Sequence, residues 1–351
     1  MNKTINNFLN TIKSYFSIDA IRGLLPILIS IIAVIIALFF VFIFISANSG
    51  VPFQNLWIAF INSSFGSIES FGRMLTKAMI ILILTIGLSI TFRSGLFNIG
   101  AVGQMALGAV IAAGIGLYIP IPVILRVILA FIVAFLVVGA ITGGIGWLKA
   151  KFGIDEIFIT LMVSFMLVAV LNYLINNPWT QTGSAEAKTA LVPGRFPEII
   201  PGLTPIIFIA FGLIPIVYIL LNKTVIGYEM RVVGSGKSVA KNQGINVSKI
   251  TVLAMLFSGG ICGIAGASQV FGDMGRIVVG MPGNFGFYAI PAAIMIESKP
   301  EKAFISSIFL SVIIMGSLGL TNLGVQSVLG EVLIGVVFIV TVIAQKLGGF
   351  K

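Results

Sequence analysis

Histidine is absent from this 351-residue chain, and cysteine occurs once, as Cys262. The first absence excludes imidazole bases, histidine metal sites and histidine-based pH switching. The second excludes an internal disulfide and any multi-cysteine metal centre. Cys262 itself sits in an apolar, glycine-rich run, which marks it as a small packing residue. Charge is also scarce: Asp, Glu, Lys and Arg make up 9% of the chain, against about 25% in an ordinary soluble domain. So few charges cannot coat a water-facing surface, and a soluble enzyme is excluded. Acids are the rarer sign, 11 against 21 Lys and Arg. The bases are scattered singly among Phe and Ile with no dense tract, so nucleic acid is not an expected partner.

What is present is apolar. Hydrophobic residues make up 58% of the chain, with a mean hydropathy of +1.15. Crossing the hydrocarbon of a bilayer takes about 20 such residues. Candidate stretches are 24–46, 77–92, 96–118, 122–148, 155–175, 203–222, 250–271, 283–297, 303–320 and 327–345. The expected fold is all-α, a polytopic membrane protein with about ten transmembrane helices, some interrupted. Residues 1–23 form a cytoplasmic N-terminal segment, 24–346 the membrane domain and 347–351 a cytoplasmic tail. The first stretch exceeds the roughly 7–15 apolar residues of a signal peptide and reads as a retained anchor. The longest polar connections are 176–202, outside, and 223–249, inside.

Orientation follows from the bases. With the N-terminus inside, Arg73, Lys77, Arg126, Lys188, Arg195 and Arg276 fall outside, and the other 15 of 21 fall inside. That asymmetry puts both termini in the cytoplasm. Trp57, Trp147 and Trp179 lie near span ends, as interfacial anchors do. Segment 51–76 sets aromatics among Ser and Asn and reads as a helix lying on the outer surface, with an additional partial span as the alternative.

Two segments break the uniform apolarity. Arg93–Gln104 contains Gly95, Asn98, Gly100, Gly103 and Gln104. Gly280–Tyr288 contains Pro282, Gly283 and Asn284, followed by a short apolar run to Ile296. Non-helical backbone at membrane depth survives only when buried in protein or lining a wet cavity. Interrupted short spans of this kind point to a transport pathway. Phe97, Asn98, Gln104, Asn284, Phe287 and Tyr288 are the candidate pathway residues: amides for hydroxyls or base edges, aromatics for a flat ring. Gly259, Gly260, Gly263 and Gly266 read as close helix packing. Glu331 is the acid inside a clear stretch; it is either a functional group by its position or an interfacial one beside Asn322 and Gln326.

Gly234-Ser-Gly-Lys-Ser238 ends like a phosphate-binding loop, but the full motif requires glycine where Arg231 stands, and no strand precedes it. ATP hydrolysis by this chain is not expected. The surrounding loop carries Lys223, Arg231, Lys237, Lys241 and Lys249 against Glu229, with a short helix expected over 238–243 and ended by Gly244. Its length argues for a partner, because connections between helices are usually shorter.

These segments together suggest a family. Phe92-Arg-Ser-Gly-Leu-Phe-Asn-Ile-Gly-Ala-Val-Gly-Gln104 resembles the F-R-x-G-L-F-N-I-G-A-E-G-Q signature of permease subunits of bacterial ABC importers. The subgroup is the nucleoside and simple-sugar type, related to ribose and branched-chain amino-acid permeases. Val102 stands where that signature often has glutamate. Gly227–Gly234 and Ala240–Lys249 are similar to the family's G-x-E-x-R-A-V-G and A-x-x-x-G-I-N-V-x-K coupling segment, and Ala254–Gly260 with Ala265–Ala267 to the span that comes after it. Gly286–Pro291 departs from the usual G-F-x-G-I-A.

The resemblance implies a pathway-forming, non-enzymatic subunit for nucleosides or simple sugars in the bacterial cytoplasmic membrane. Glu229, Arg231, Gly234, Lys237, Ala240, Lys241 and Gly244 would dock on a cytoplasmic ABC ATPase. That partner would use ATP and Mg, with no cofactor bound by this chain. A second permease subunit, homologous or identical, and an extracytoplasmic substrate-binding protein would complete the assembly. The alternative from the residues alone is an ion-coupled secondary transporter, which a single embedded acid disfavours. A membrane-embedded enzyme ranks last, for want of convergent acid, base and nucleophile groups.

Overall fold

The computed structural model describes residues 35–183, 186–326, 331–337, 339–340 and 343. The terminal segments 1–23 and 347–351, the start of the first expected span and much of 327–345 lie outside the described residues. Regular structure among the described residues is helical: α1 (Ile35–Ser49), α2 (Phe53–Phe65), α3 (Ile68–Arg93), α4 (Ala101–Tyr118), α5 (Val123–Phe152), α6 (Glu156–Asn176) and α7 (Ile206–Lys223). These are followed by α8 (Val225–Ser235), α9 (Lys237–Asn242), α10 (Val247–Ser268), α11 (Phe285–Met295) and α12 (Ala303–Thr321). A π-helical turn, Gln269–Met274, continues α10, and a 3-10 turn, Pro300–Lys302, leads into α12.

Seven of these helices, two of them counted with their extensions, are long and apolar enough to cross a membrane, or eight if α1 and α2 form one bent span. Among the described residues these are fewer than the ten stretches expected over the whole chain, two of which, 24–46 and 327–345, lie partly outside the described residues. The run at 283–297 yields only the 11-residue α11, about 16 Å at 1.5 Å per residue, which is half a crossing. The run at 96–118 becomes helical only at Ala101. Segment 51–76 divides: α2 turns away from α1 by 118°, whereas residues 68–76 join α3. That last helix begins nine residues earlier than its apolarity suggests, because Glu69 pairs with Arg73, and Asp273 with Lys77. Each charge has its counter-ion, so the helix can carry both.

The helix ends follow from local chemistry. Ser67 caps α3 by accepting from the Ser70 N–H at 3.0 Å, with Glu69 in the first turn and Arg93 in the last, both favourable to the helix dipole. Asp155 caps α6 through the Ile157 N–H at 2.9 Å, and Asn246 caps α10 through the Lys249 N–H at 3.0 Å. Lys149 near the end of α5 pairs with the buried Glu156 at the start of α6, closing that corner.

The chain divides into two compact units. In the first, formed by residues 1–63 and 313–351, Phe42 packs edge-on against Phe53, Trp57 and Phe60 at ring distances of 5.4–6.3 Å. Gly316 of α12 has no room for a side chain beside Phe60.

The second unit, Ser64–Val312, is layered. Most of α3, α4 and α10 is buried, whereas α5, α6 and α7 bury only a fifth or so of their apolar lengths. The outer helices therefore present apolar side chains such as Ile128, Ile132 and Leu136 outward, where lipid is the compatible solvent. Without a hydrophobic drive in lipid, helices associate by close packing, and α10 supplies it with glycines. A Cβ on Gly259 would overlap Thr142 of α5, and one on Gly266 would overlap Met105 of α4. Gly263 takes both neighbours, since Gly108 of α4 abuts it and Ala134 and Val138 of α5 close over it. The glycines expected to serve packing do so.

This packing makes a testable contrast. Gly266→Val forces methyl groups onto the Met105 carbonyl and is expected to cost about 1–3 kcal/mol or more. Gly144→Val, at a position with nothing within 4 Å of a new Cβ, serves as the control. Thermal unfolding of the detergent-solubilised protein checks it: the midpoint falls by several degrees for the first variant and holds for the second.

Candidate functional site

The first break begins where α3 ends. Ser94 turns its hydroxyl back onto the Ile90 carbonyl at 2.8 Å, and Gly95 adopts φ +67°, a conformation that glycine reaches without strain. Residues 96–99 then lie outside any helix, and Leu96, Asn98 and Gly100 are buried. Their polar needs are met locally. Asn98 Oδ1 accepts from the Gly100 N–H at 3.1 Å and from Gln104 Nε2 at 2.8 Å. Asn98 Nδ2 donates to Gln104 Oε1 at 2.9 Å and to Ser258 Oγ of α10 at 3.1 Å. Two further N–H groups near the α4 terminus are taken by α6: Ile99 donates to Thr160 Oγ1 at 3.3 Å and Gly103 to Ser164 Oγ at 2.8 Å.

Asn98 and Gln104, singled out as amides for a solute, thus spend those amides on each other. They form a clamp joining the break to α4 and α10. Phe97 alone of that trio turns outward, 48% exposed, with its ring 5.4 Å from Phe92.

The second break comes after the π turn, which ends at Gly275 with φ +68°. Non-helical chain continues to Asn284, and α11 starts against the start of α4: a Cβ on Gly286 would overlap the backbone at Ala101 and Val102. The two breaks, 182 residues apart at Gly286 and Gln104, therefore meet at a pair of helix N-termini. Asn284 and Phe287 are exposed and Tyr288 is half-buried, its ring edge-on to Phe285 at 6.5 Å.

Residues that the sequence reading did not single out lie beside the second break. Lys77 of α3 pairs with Asp273 of the π turn, both about 15% exposed, and Lys77 Nζ sits 5.6 Å from the Phe285 ring centre. An ion pair therefore joins α3 to the π turn, in addition to the acid expected at Glu331, which is exposed. Gln269 donates to the Pro282 carbonyl at 3.3 Å, tying the π turn to the loop before α11. The available signal was Gln269 and Asp273 four residues apart at the end of an apolar run.

The long connection 176–202 is fastened to the same place. Thr189, Val192 and Phe196 donate backbone bonds of 2.7–3.0 Å to Ile277, Gly275 and Phe271. The rings of Phe131, Phe196 and Phe271 form a cluster at 6.1–6.4 Å.

The basic connection 223–249 is two helices, not an open loop. The short helix expected over 238–243 is α9, followed by Gly244 at φ +76°. In α8, Thr224 caps the start by accepting from the Gly227 N–H at 3.1 Å, Glu229 is half-buried, and Arg231 donates to the Leu221 carbonyl of α7. Met230, Val233 and Ala240 are buried beneath, leaving Tyr228 and Val239 each 50% exposed beside exposed Lys237 and Lys241. Among the described residues no strand precedes Gly234, so the phosphate-loop likeness fails on its surroundings. Gly234 has another use. A Cβ there would overlap the Arg93 carbonyl, and one on Gly95 would lie 3.1 Å from Gly234 Cα. The basic helix pair thus rests on the turn that opens the first break. Arg93 also donates to Asn222 Oδ1 of α7 at 2.9 Å.

Among the described residues, no group of three or more Asp, Glu, Cys or His side chains is placed to hold a metal ion. No solved structure matches the chain. The guanosine ABC transporter permease protein NupP of Bacillus subtilis is 27% identical over 310 residues, covering 83% of this chain and 86% of that protein. The nucleoside ABC transporter permease protein NupB of Lactococcus lactis is 26% identical, covering 82% and 85%. The glucose ABC transporter permease protein of Haloferax volcanii is 23% identical, covering 82% and 79%. Residues 70–342 match the model of the family described as the branched-chain amino acid transport system / permease component, a range that takes in both breaks and the basic helix pair, and the chain is a multi-pass member of that permease family.

Proposed function

We propose that this chain forms the translocation pathway of an ATP-driven importer for nucleosides or simple sugars, in a bacterial cytoplasmic membrane. A separate cytoplasmic ABC ATPase drives it, using ATP and Mg, while this chain binds no cofactor. A second permease subunit, identical or homologous, completes the membrane part, and an extracytoplasmic binding protein delivers the solute. Both termini face the cytoplasm, in keeping with the sorting of the basic residues. The solute class draws its support from relatives named for guanosine, nucleosides and glucose.

One observation carries the coupling. The α8–α9 pair offers Tyr228, Val239, Lys237 and Lys241 to solvent and rests through Gly234 on Arg93–Gly95. A partner docked on the exposed face moves the first break directly. Phe97 and Phe287 offer exposed ring faces and Asn284 an exposed amide for a flat, polar solute, while the Asn98–Gln104 clamp sets their positions. The ion-coupled alternative finds support in the Lys77–Asp273 pair lying within two spans. It predicts uptake that needs no ATPase and collapses with an ionophore.

Three outcomes test these assignments. In vesicles holding the full complex, Lys237→Glu with Lys241→Glu is expected to weaken ATPase co-purification and uptake together. Gly234→Val is expected to leave the complex assembled yet lower uptake about tenfold, the factor that a 1.4 kcal/mol misfit makes. Unchanged assembly and uptake in both variants would remove the coupling role. For orientation, a membrane-impermeant maleimide should label Thr182→Cys in intact cells and Ser238→Cys only after permeabilisation; native Cys262 is buried and contributes little background.

A further inference from the structure

Where the end of α5 meets the start of α10, a groove of about 370 Å³ opens, apart from both breaks. Next to it the two helices touch: a Cβ on Gly146 would stand 3.0 Å from Met255 Cβ and 3.1 Å from the Thr251 carbonyl oxygen. Trp147 and Val252 give the groove its apolar side, and Lys151, Asn246, Ser248 and Lys249 its polar side.

Every polar side chain in that lining can donate. Asn246 Oδ1 is spent on the Lys249 N–H at 3.0 Å, so its amide N–H groups remain. Ser248 brings a hydroxyl, and each lysine three donors. The lining holds no carboxylate, and among the described residues no acid lies within ion-pair distance of Lys151 or Lys249. Lys149, by contrast, is committed to Glu156. Lys151 is also held in place. Its Nζ lies 4.8 Å from the Trp147 ring centre and 5.3 Å from that of Phe152, and the two rings meet edge-on at 5.9 Å. A cation resting on ring faces keeps its charge. The ligand of such a groove must accept hydrogen bonds and carry negative charge.

The groove also continues into an apolar track. Lys151, Trp147, Gly144, Ala140 and Val137 follow at steps of three and four, so they share one face of α5, and all are exposed. A Cβ on Gly144 would meet nothing within 4 Å. From Val137 to Lys151 the helix rises about 21 Å at 1.5 Å per residue. Half the hydrocarbon of a bilayer is about 15 Å, so the track has the length of one acyl chain with room for a headgroup. A free phosphate would use the lysines and leave the apolar side in water.

We propose that this groove binds an anionic glycerophospholipid, its phosphate on Lys151 and Lys249 and an acyl chain along Trp147, Gly144, Ala140 and Val137. On the orientation proposed above it is a lipid of the cytoplasmic leaflet, where basic pockets between spans suit anionic headgroups.

Trp147 reports its own neighbour. Trp57→Phe with Trp179→Phe leaves it the sole tryptophan of the three. The full chain is placed in phosphatidylcholine nanodiscs containing, at equal mole fraction, brominated phosphatidylglycerol or brominated phosphatidylcholine, and quenching is titrated. The expected preference for phosphatidylglycerol is about tenfold. Lys151→Gln with Lys249→Gln should bring it close to one, whereas Lys151→Arg with Lys249→Arg should hold it. Each preference is a ratio within one variant, so a changed indole environment cancels. Phosphatidylglycerol should also raise the thermal midpoint of the wild type and leave that of the glutamine variant level.

A ratio near one with both lysines present, or one that survives their replacement by glutamine, overturns the site. So does an equal preference at Trp57 in a Trp147→Phe, Trp179→Phe chain, which marks diffuse attraction to a basic protein. Displacement of the lipid by excess glycerol phosphate marks a soluble-anion site and overturns the lipid. Loss of ATPase co-purification in the glutamine variant, with its ratio unchanged, assigns the groove to the protein partner instead. The quenching needs neither ATPase nor solute, so its failure leaves the importer reading intact, and failure of uptake leaves the lipid site intact.

Discussion

A chain in hydrocarbon can leave the helical path only if the freed backbone groups find partners, and here three side chains supply them, with Asn98 at their centre. Asn98 accepts from the Gly100 N–H, exchanges two bonds with Gln104 and reaches Ser258 on α10. With Thr160 and Ser164 taking two more amides from the α6 side, the break between α3 and α4 is solvated by protein. The meeting of α11 with the start of α4 depends on it, because a straight helix from 96 onward would leave no terminus for Gly286 to abut. The placement of the basic helix pair depends on it too, since Gly95 can turn only where the helix has already stopped.

The second break is held differently. It has a π turn, three glycines at positive φ and an ion pair, Lys77–Asp273, that ties it to α3. The connection 186–203 is bonded to it along its backbone. One break is thus fixed by its own amides, Asn98 and Gln104, with Ser258 of α10, and the other by a charge pair between α3 and the π turn. Between them runs α10, whose glycines bring α4 and α5 into direct backbone contact. A displacement at either break is felt through that central helix, which has no soft side chains at those contacts to absorb it.

Much of this was legible in the sequence, and the exceptions share a cause. Helices α5, α6 and α7 lie within a few residues of the expected stretches because they bury little, so apolarity alone sets their limits. The start of α3 was missed because Lys77 is tolerated by an acid 196 positions away, and no local window contains that acid. Asn98 and Gln104 stood out correctly as unusual for membrane depth. A lone amide, however, does not disclose whether it faces a solute or another amide. The run at 283–297 was apolar enough for a span, but Gly280, Gly283 and the approach of Gly286 to Val102 confine its helix to 11 residues. The motifs that named the family fall on the joints of the fold: the first break, the basic helix pair and the glycine-lined helix after it.

The contact between Gly234 and the Arg93–Gly95 turn has a mechanical character of its own. It is backbone against backbone, with no side chain interlocked between the two glycines. Such a joint resists compression strongly and offers little against separation. Tension must travel by another route, through Arg231 on the Leu221 carbonyl and Arg93 on Asn222, both by way of α7. Push and pull on the basic helix pair are therefore unequal: thrust goes straight into the turn, whereas withdrawal is carried by side-chain tethers at the end of a neighbouring helix.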